Sequence, residues 1–126
     1  MEQPKIFLES ADSITPRRKK AIGTGYDIFN PTTMLIPANS RTLIDSKLRI
    51  KIPAEMQATV EPISVSIYTE CFVINSNRID AEGAEQITFL MANKMQEDYI
   101  LPKGTLLGRL IYSVIAEKNI QCQQKS

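Results

Sequence analysis

Gly23-Thr24-Gly25-Tyr26-Asp27-Ile28-Phe29-Asn30 reads as a loop of small residues running into a short strand. Tyr26 to Phe29 carries aromatic and β-branched residues suited to a pleated sheet. Asn30-Pro31 then supplies turn chemistry that stops the strand. The stretch also sets the register for three later segments: Pro62 to Ile67, Asn77 to Glu85, and Gly104 to Ile111.

Outward from it, short apolar runs recur about every eight to twelve residues between Pro, Asn, Asp and Gly, the pattern of an all-β sandwich or barrel. In Leu48-Arg49-Ile50-Lys51-Ile52 strict alternation sends three aliphatic residues to one face and two cations to the other, until Pro53 ends it. Further strands are expected at Lys5 to Leu8, Met34 to Ile36, Arg41 to Asp45, Gln57 to Glu61, Phe72 to Ile74, Gln86 to Met91 and Tyr99 to Leu101. Leu106 to Ile115 is the most apolar stretch. Its β-branched and aromatic residues, with Gly104 and Gly108, favour a strand over a helix. The expected organisation is one β-barrel domain over residues 1–116 and a flexible C-terminal tail over 117–126.

A chain of 126 residues has room for one core and not two. Its 15 Lys plus Arg balance 14 Asp plus Glu, so no long-range field draws it to nucleic acid or an acidic membrane. No segment approaches the roughly 18 apolar residues of a membrane span. An intracellular protein, cytoplasmic or nuclear, is expected, and the run Arg17-Arg18-Lys19-Lys20 reads as a small anion patch or a nuclear targeting signal. The two cysteines, Cys71 and Cys122, lack motif spacing, which argues against a disulfide or metal pair. Histidine is absent, which removes Ser-His and Cys-His nucleophiles and most catalytic zinc sites. Any chemistry must use carboxylates, hydroxyls, lysine and arginine.

From about Lys5 to Ile115 the chain resembles a trimeric-type dUTPase (deoxyuridine triphosphate nucleotidohydrolase), which implies a distorted β-barrel, or jelly roll, assembled as a homotrimer. Thr24-Gly25-Tyr26-Asp27-Ile28 matches the first motif, in which the aspartate holds the water shell of Mg2+ on the triphosphate; that role falls to Asp27. The alternative for Asp27 is a turn cap. Pro62-Ile63-Ser64-Val65-Ser66-Ile67 stands where the family has Pro-Arg-Ser. Ser64 is kept for phosphate, while Ile63 replaces an arginine and offers no side-chain donor. Asn77-Arg78-Ile79-Asp80 matches the third motif, making Asp80 the water-activating carboxylate, with Asn77 and Gly83 among the substrate-binding positions. Gly83 nevertheless replaces the tyrosine that packs on deoxyribose. An extended Arg78-Ile79-Asp80 would let Arg78 pair with Asp80 and weaken it as a base.

Gly104-Thr105-Leu106-Leu107-Gly108-Arg109-Leu110-Ile111 keeps the apolar frame of the fourth motif and loses its polar positions. Arg109 replaces a phosphate-binding glutamine, and the alternatives for it are a phosphate contact or an arginine snorkelling from an apolar strand. The family's C-terminal glycine-rich arm has no counterpart in Lys118 to Ser126. At about 1.5–3 kcal/mol per charge-assisted contact, two lost arginines and the arm amount to roughly 4–9 kcal/mol, or about three to six decades in rate.

These losses imply a degenerate, viral-type member, a scaffold binding a nucleotide or a protein partner without efficient dUTP hydrolysis. The alternative is an active dUTP diphosphatase releasing dUMP and pyrophosphate with Mg2+, using Asp80, Asp27, Ser64 and Arg109. A dCTP-type deaminase fits less well, because that family's arginine and glutamate positions are not found around Ser64 and Glu85.

Overall fold

The computed structural model describes residues 3–18, 25–63, 70–74, 77–79 and 84–114. Among them every regular element is a strand: β1 (Lys5–Leu8), β2 (Arg17–Arg18), β3 (Gly25–Phe29), β4 (Met34–Ile36), β5 (Ser40–Lys51), β6 (Met56–Pro62), β7 (Cys71–Val73), β8 (Asn77–Ile79), β9 (Ala84–Asn93), β10 (Tyr99–Leu101) and β11 (Leu106–Val114). The all-β jelly-roll expectation holds. Sheet one runs β1-β5-β9-β7, sheet two runs β2-β3-β11-β6-β8, and β10-β4 form a small ribbon. Leu106 onward is a strand, flanked by β3 and β6. The expected boundary near residue 116 and the tail fall outside the described residues.

The two expected strands Arg41 to Asp45 and Leu48 to Ile52 are one long strand, β5, broken in register. β5 advances from Asp45 to Arg49 while β9 moves only from Thr88 to Gln86. The bulge is held by Ser46, whose buried hydroxyl donates to the Ile87 carbonyl at 2.5 Å and accepts from the Leu48 N–H at 3.2 Å, and by Lys47 at φ 57°. An even slip preserves facing parity, so Ile44, Leu48 and Ile50 all point inward and are buried. They meet Ile28, Ile36, Val60, Ile87, Phe89, Met91, Leu101, Leu107 and Leu110 in one core. At about 1.5–3 kcal/mol for each large side chain fully buried, this core outweighs the surface ion pairs as the source of stability.

Two buried amides fix the loops. The Asn30 Nδ2 donates to the carbonyls of Thr32 (2.7 Å), Leu101 (3.3 Å) and Pro102 (3.0 Å), and the Asn30 backbone brackets the turn before β11 through Thr105 and Gly104. Gly104 sits there at φ 86°, a value that favours glycine. Asn93 Nδ2 likewise donates to Ile36 and Glu97 carbonyls. Asn30 therefore ties the end of β3 to the start of β11, the two strands that carry Asp27 and Arg109.

Candidate functional site

Alternation along β3 buries Ile28 in the core and turns Gly25, Asp27 and Phe29 to the outer face of the five-stranded sheet. On β11 the same parity buries Leu110 and turns Arg109 outward. Asp27 is directly opposite Arg109, Arg17 of β2 is directly opposite Asp27 on its other side, and Glu61 of β6 is directly opposite Arg109. Opposed residues share a face, so Arg17, Asp27, Arg109 and Glu61 form a row of alternating charge across four strands.

Within that row the Arg109 Nε donates to Asp27 Oδ1 at 3.2 Å, with the two side chains 30% and 16% exposed. Gly25 makes this reach possible. A Cβ on Gly25 would lie 2.6 Å from Arg109 Cδ and 3.0 Å from Cγ, so the arginine stem runs over the bare glycine backbone. The Arg17 guanidinium lies 5.6 Å from the centre of the Phe29 ring, a cation–π contact on the same face. Asp27 is thus a mid-strand, ion-paired carboxylate and not a turn cap. Arg109 is an outward, paired guanidinium and not one snorkelling out of the core. Arg17 and Arg18 of the basic run are a two-residue edge strand.

The remaining expected site residues divide. Asn77 opens β8, its backbone opposite Val60 on β6. Ser64, Asp80 and Gly83 lie outside the described residues, as does the expected Arg78–Asp80 pair. The segments that carry them are nonetheless fixed at one end. Gly108 is opposite Pro62 and the Ile63 N–H donates to the Leu107 carbonyl at 3.0 Å, so the chain stays against β11 as far as Ile63. β8, which leads into Asp80, flanks β6. The order β3-β11-β6-β8 therefore sets the first and fourth motif segments on adjacent strands, with the start of the second at the end of β6 and the start of the third on β8.

An apolar groove of about 440 Å³, lined by Ile6, Leu8, Pro16, Tyr26, Leu110 and Tyr112 among others, opens on the inner side of this sheet. It is separated from the Asp27–Arg109 row by the sheet itself. Tyr26 and Tyr112 stack there at 5.9 Å and 17°. Burial, then the neighbouring Tyr26, push the Tyr112 phenol above its ordinary pKa, against a smaller opposing pull from Arg18. Cys71 is buried, and burial pushes its thiol up as well.

Sequence reasoning missed the charged row, Gly25 as the floor under Arg109, and the buried amide of Asn30. Parity would have found the row, since Asp27 sits between Tyr26 and Ile28, and Arg109 between Gly108 and Leu110.

The dUTPase family profile matches residues 9–126. The dUTPase of Debaryomyces hansenii is 24% identical over 117 residues, covering 93% of this chain and 73% of the relative. That of Paramecium bursaria Chlorella virus 1 is 26% identical over 116 residues, covering 92% and 81%. In shape, the Staphylococcus bacteriophage 80alpha dUTPase solved with dUPNHPP superposes with a TM-score of 0.78 at 17% identity, covering 100% of this chain and 90% of that one. These matches overturn the expectation of a decayed scaffold without efficient hydrolysis. The physical reason is that the expectation summed motif letters one by one, counting the arginine lost at Ile63 and leaving out the guanidinium that Arg109 holds beside Asp27.

Proposed function

The chain belongs to the dUTPase family, and from that premise we propose that it is an active dUTP diphosphatase, releasing dUMP and pyrophosphate. The observation that supports this is that β3 and β11 set Asp27 opposite Arg109 in the sheet that also holds β6, which ends two residues before Ser64, and β8, which ends one residue before Asp80. In this reading Asp80 takes a proton from the water that attacks the α-phosphorus, the work of a carboxylate general base. Arg109 and Ser64 meet phosphate oxygens through charge-assisted and hydroxyl hydrogen bonds. Asn77 and Gly83 face the nucleoside, and Asp27 orients the Arg109 guanidinium. The enzyme works inside the cell, where its nucleotide substrate is made.

We propose that the family's homotrimer holds here too, and distances along the sheet support a site shared between copies. Ile79, the last residue of β8, is opposite Ala58, whereas Arg109 is opposite Glu61. That is about 10 Å along the strands and about 10 Å across them, so β8 leads away from the Asp27–Arg109 pair of its own chain. A site joining the two ends then draws on a neighbouring copy. The solvent face of the other sheet offers apolar surface for such contact in Leu43, 63% exposed, and Ile74, 36% exposed.

Magnesium, which the family implies, was assigned to Asp27 through water. Asp27 does not fit that task well: its Oδ1 accepts from Arg109, and a carboxylate paired with a guanidinium attracts a dication less.

The test is dUMP release by the full chain at high enzyme concentration, with Asp80→Asn as the paired control. Turnover that falls by about two to four decades in the variant is expected for loss of a general base. A folded protein that releases no dUMP, or an Asp80→Asn variant with unchanged turnover, overturns the reading. Sedimentation of the active protein tests the assembly, and an active monomer would sink the shared site.

A further inference from the structure

We propose that Arg109 supplies, beside Asp27, the positive charge that a divalent cation would otherwise bring, so that this chain binds the triphosphate of its nucleotide without needing Mg2+. The inference rests on the dUTP reading above. Three observations carry it. The first is the pair itself: Arg109 Nε donates to Asp27 Oδ1 at 3.2 Å, so a dication near that carboxylate meets a guanidinium already in place. The second is that the arginine is accommodated, not accidental, because its stem crosses Gly25 at a distance no side chain there would allow. The third is what the pairing leaves over. Among the described residues, Arg109 makes its one side-chain hydrogen bond through Nε, and a guanidinium has five N–H donors in a planar fork that matches phosphate oxygens. The side chain keeps 30% of its surface exposed, so it is open to a ligand arriving from solvent.

Asp27 then has a positioning role, gripping Nε so that the fork is aimed before the ligand arrives. Preorganisation of this kind lowers the ordering cost of binding. Arg17, opposite Asp27 on its other side and resting on Phe29, adds a second cation at the same level. The ligand class is a nucleoside triphosphate met as a bare polyanion and not as its metal chelate.

The experiment is calorimetric titration of the full-length protein with dUPNHPP, in Mg2+ and in EDTA, for wild type and Arg109→Gln. The wild-type dissociation constant should change by less than about tenfold between the buffers, whereas Arg109→Gln should lose about tenfold or more in EDTA and recover most of it in Mg2+, the size of one charge-assisted contact. Unchanged melting of the variant would separate this from misfolding. A wild type that weakens about tenfold or more in EDTA, or an Arg109→Gln variant as indifferent to Mg2+ as wild type, overturns the inference while leaving the dUTP reading intact. Absence of binding in both buffers overturns that reading, and the inference with it.

Discussion

Gly108→Ala tests the packing that sets Arg109. A Cβ at Gly108 would lie 2.5 Å from Phe89 Cε1 and 2.6 Å from the Glu61 carbonyl oxygen. Both distances are roughly 0.8 Å or more inside ordinary van der Waals contact. Phe89 is 1% exposed and cannot swing into solvent, and the Glu61 oxygen belongs to backbone laddered against β11. Relief therefore requires β6 and β11 to separate. Overpacking of this kind costs about 1–3 kcal/mol, and a stretched ladder hydrogen bond adds about 1 kcal/mol. Replacing a strand glycine returns a fraction of that, leaving a net loss of about 2–3 kcal/mol. For a domain of this size that is a fall in Tm of roughly 6–15 °C. Gly25→Ala is the internal contrast, because its clash is with Arg109 Cδ and Cγ, a side chain able to swing outward, and its stability should stay within about 1 kcal/mol of wild type. Urea and thermal unfolding of the full chain, at one protein concentration because assembly shifts Tm by mass action, read both variants. A Gly108→Ala protein no less stable than Gly25→Ala would refute the reasoning.

Although Gly25→Ala should fold, it displaces the Arg109 stem, and titration with dUPNHPP in EDTA should show about tenfold weaker binding, one charge-assisted contact; unchanged affinity in EDTA would mean the Arg109 fork does not reach the ligand. Asn30→Ala removes a buried amide that serves three carbonyls and should cost about 2–4 kcal/mol in urea unfolding, whereas a loss below about 0.5 kcal/mol would show that water replaces the amide. Tyr112 titrates above its ordinary value in the fold. The folded state therefore favours its protonated form, a contribution fully present below the unfolded pKa of about 10 and lost as pH rises through the folded pKa. The urea midpoint of wild type should fall more steeply above that pH than that of Tyr112→Phe, and parallel profiles would contradict it.

Most strands were legible because alternation is a backbone property. Leu48, Ile50 and Ile52 alternate with Arg49 and Lys51, and the fold buries the first three. The break between Arg41 to Asp45 and Leu48 to Ile52 was misread as two strands, because Ser46 and Lys47 look like a turn. The bulge there is held by a hydroxyl bonded to Ile87, a partner 41 residues away that local chemistry cannot reveal. β2 was missed for the opposite reason: a charged pair has little strand propensity, and Arg17–Arg18 is extended only because β3 offers an edge. Gly25 was legible as a motif letter. Its task as the floor under Arg109 depends on a strand more than eighty residues later.

The same gap explains why counting motif letters misjudged the activity. Ile63 and Arg109 are far apart in sequence, and a position-by-position comparison scores one as a lost arginine and the other as a changed glutamine. In the sheet they are near neighbours, since Gly108 faces Pro62 and the Ile63 N–H bonds to Leu107. What a phosphate feels is the location of a guanidinium fork, not the strand it came from, and adjacent strands lie only about 4.8 Å apart, less than the length of an arginine side chain. The loss of roughly 4–9 kcal/mol reckoned from the sequence assumed contacts of about 1.5–3 kcal/mol each that nothing replaced. In the proposed function the guanidinium held by Asp27 at 3.2 Å meets phosphate, which removes that assumption for one of them. The bound that remains is set by the other contacts.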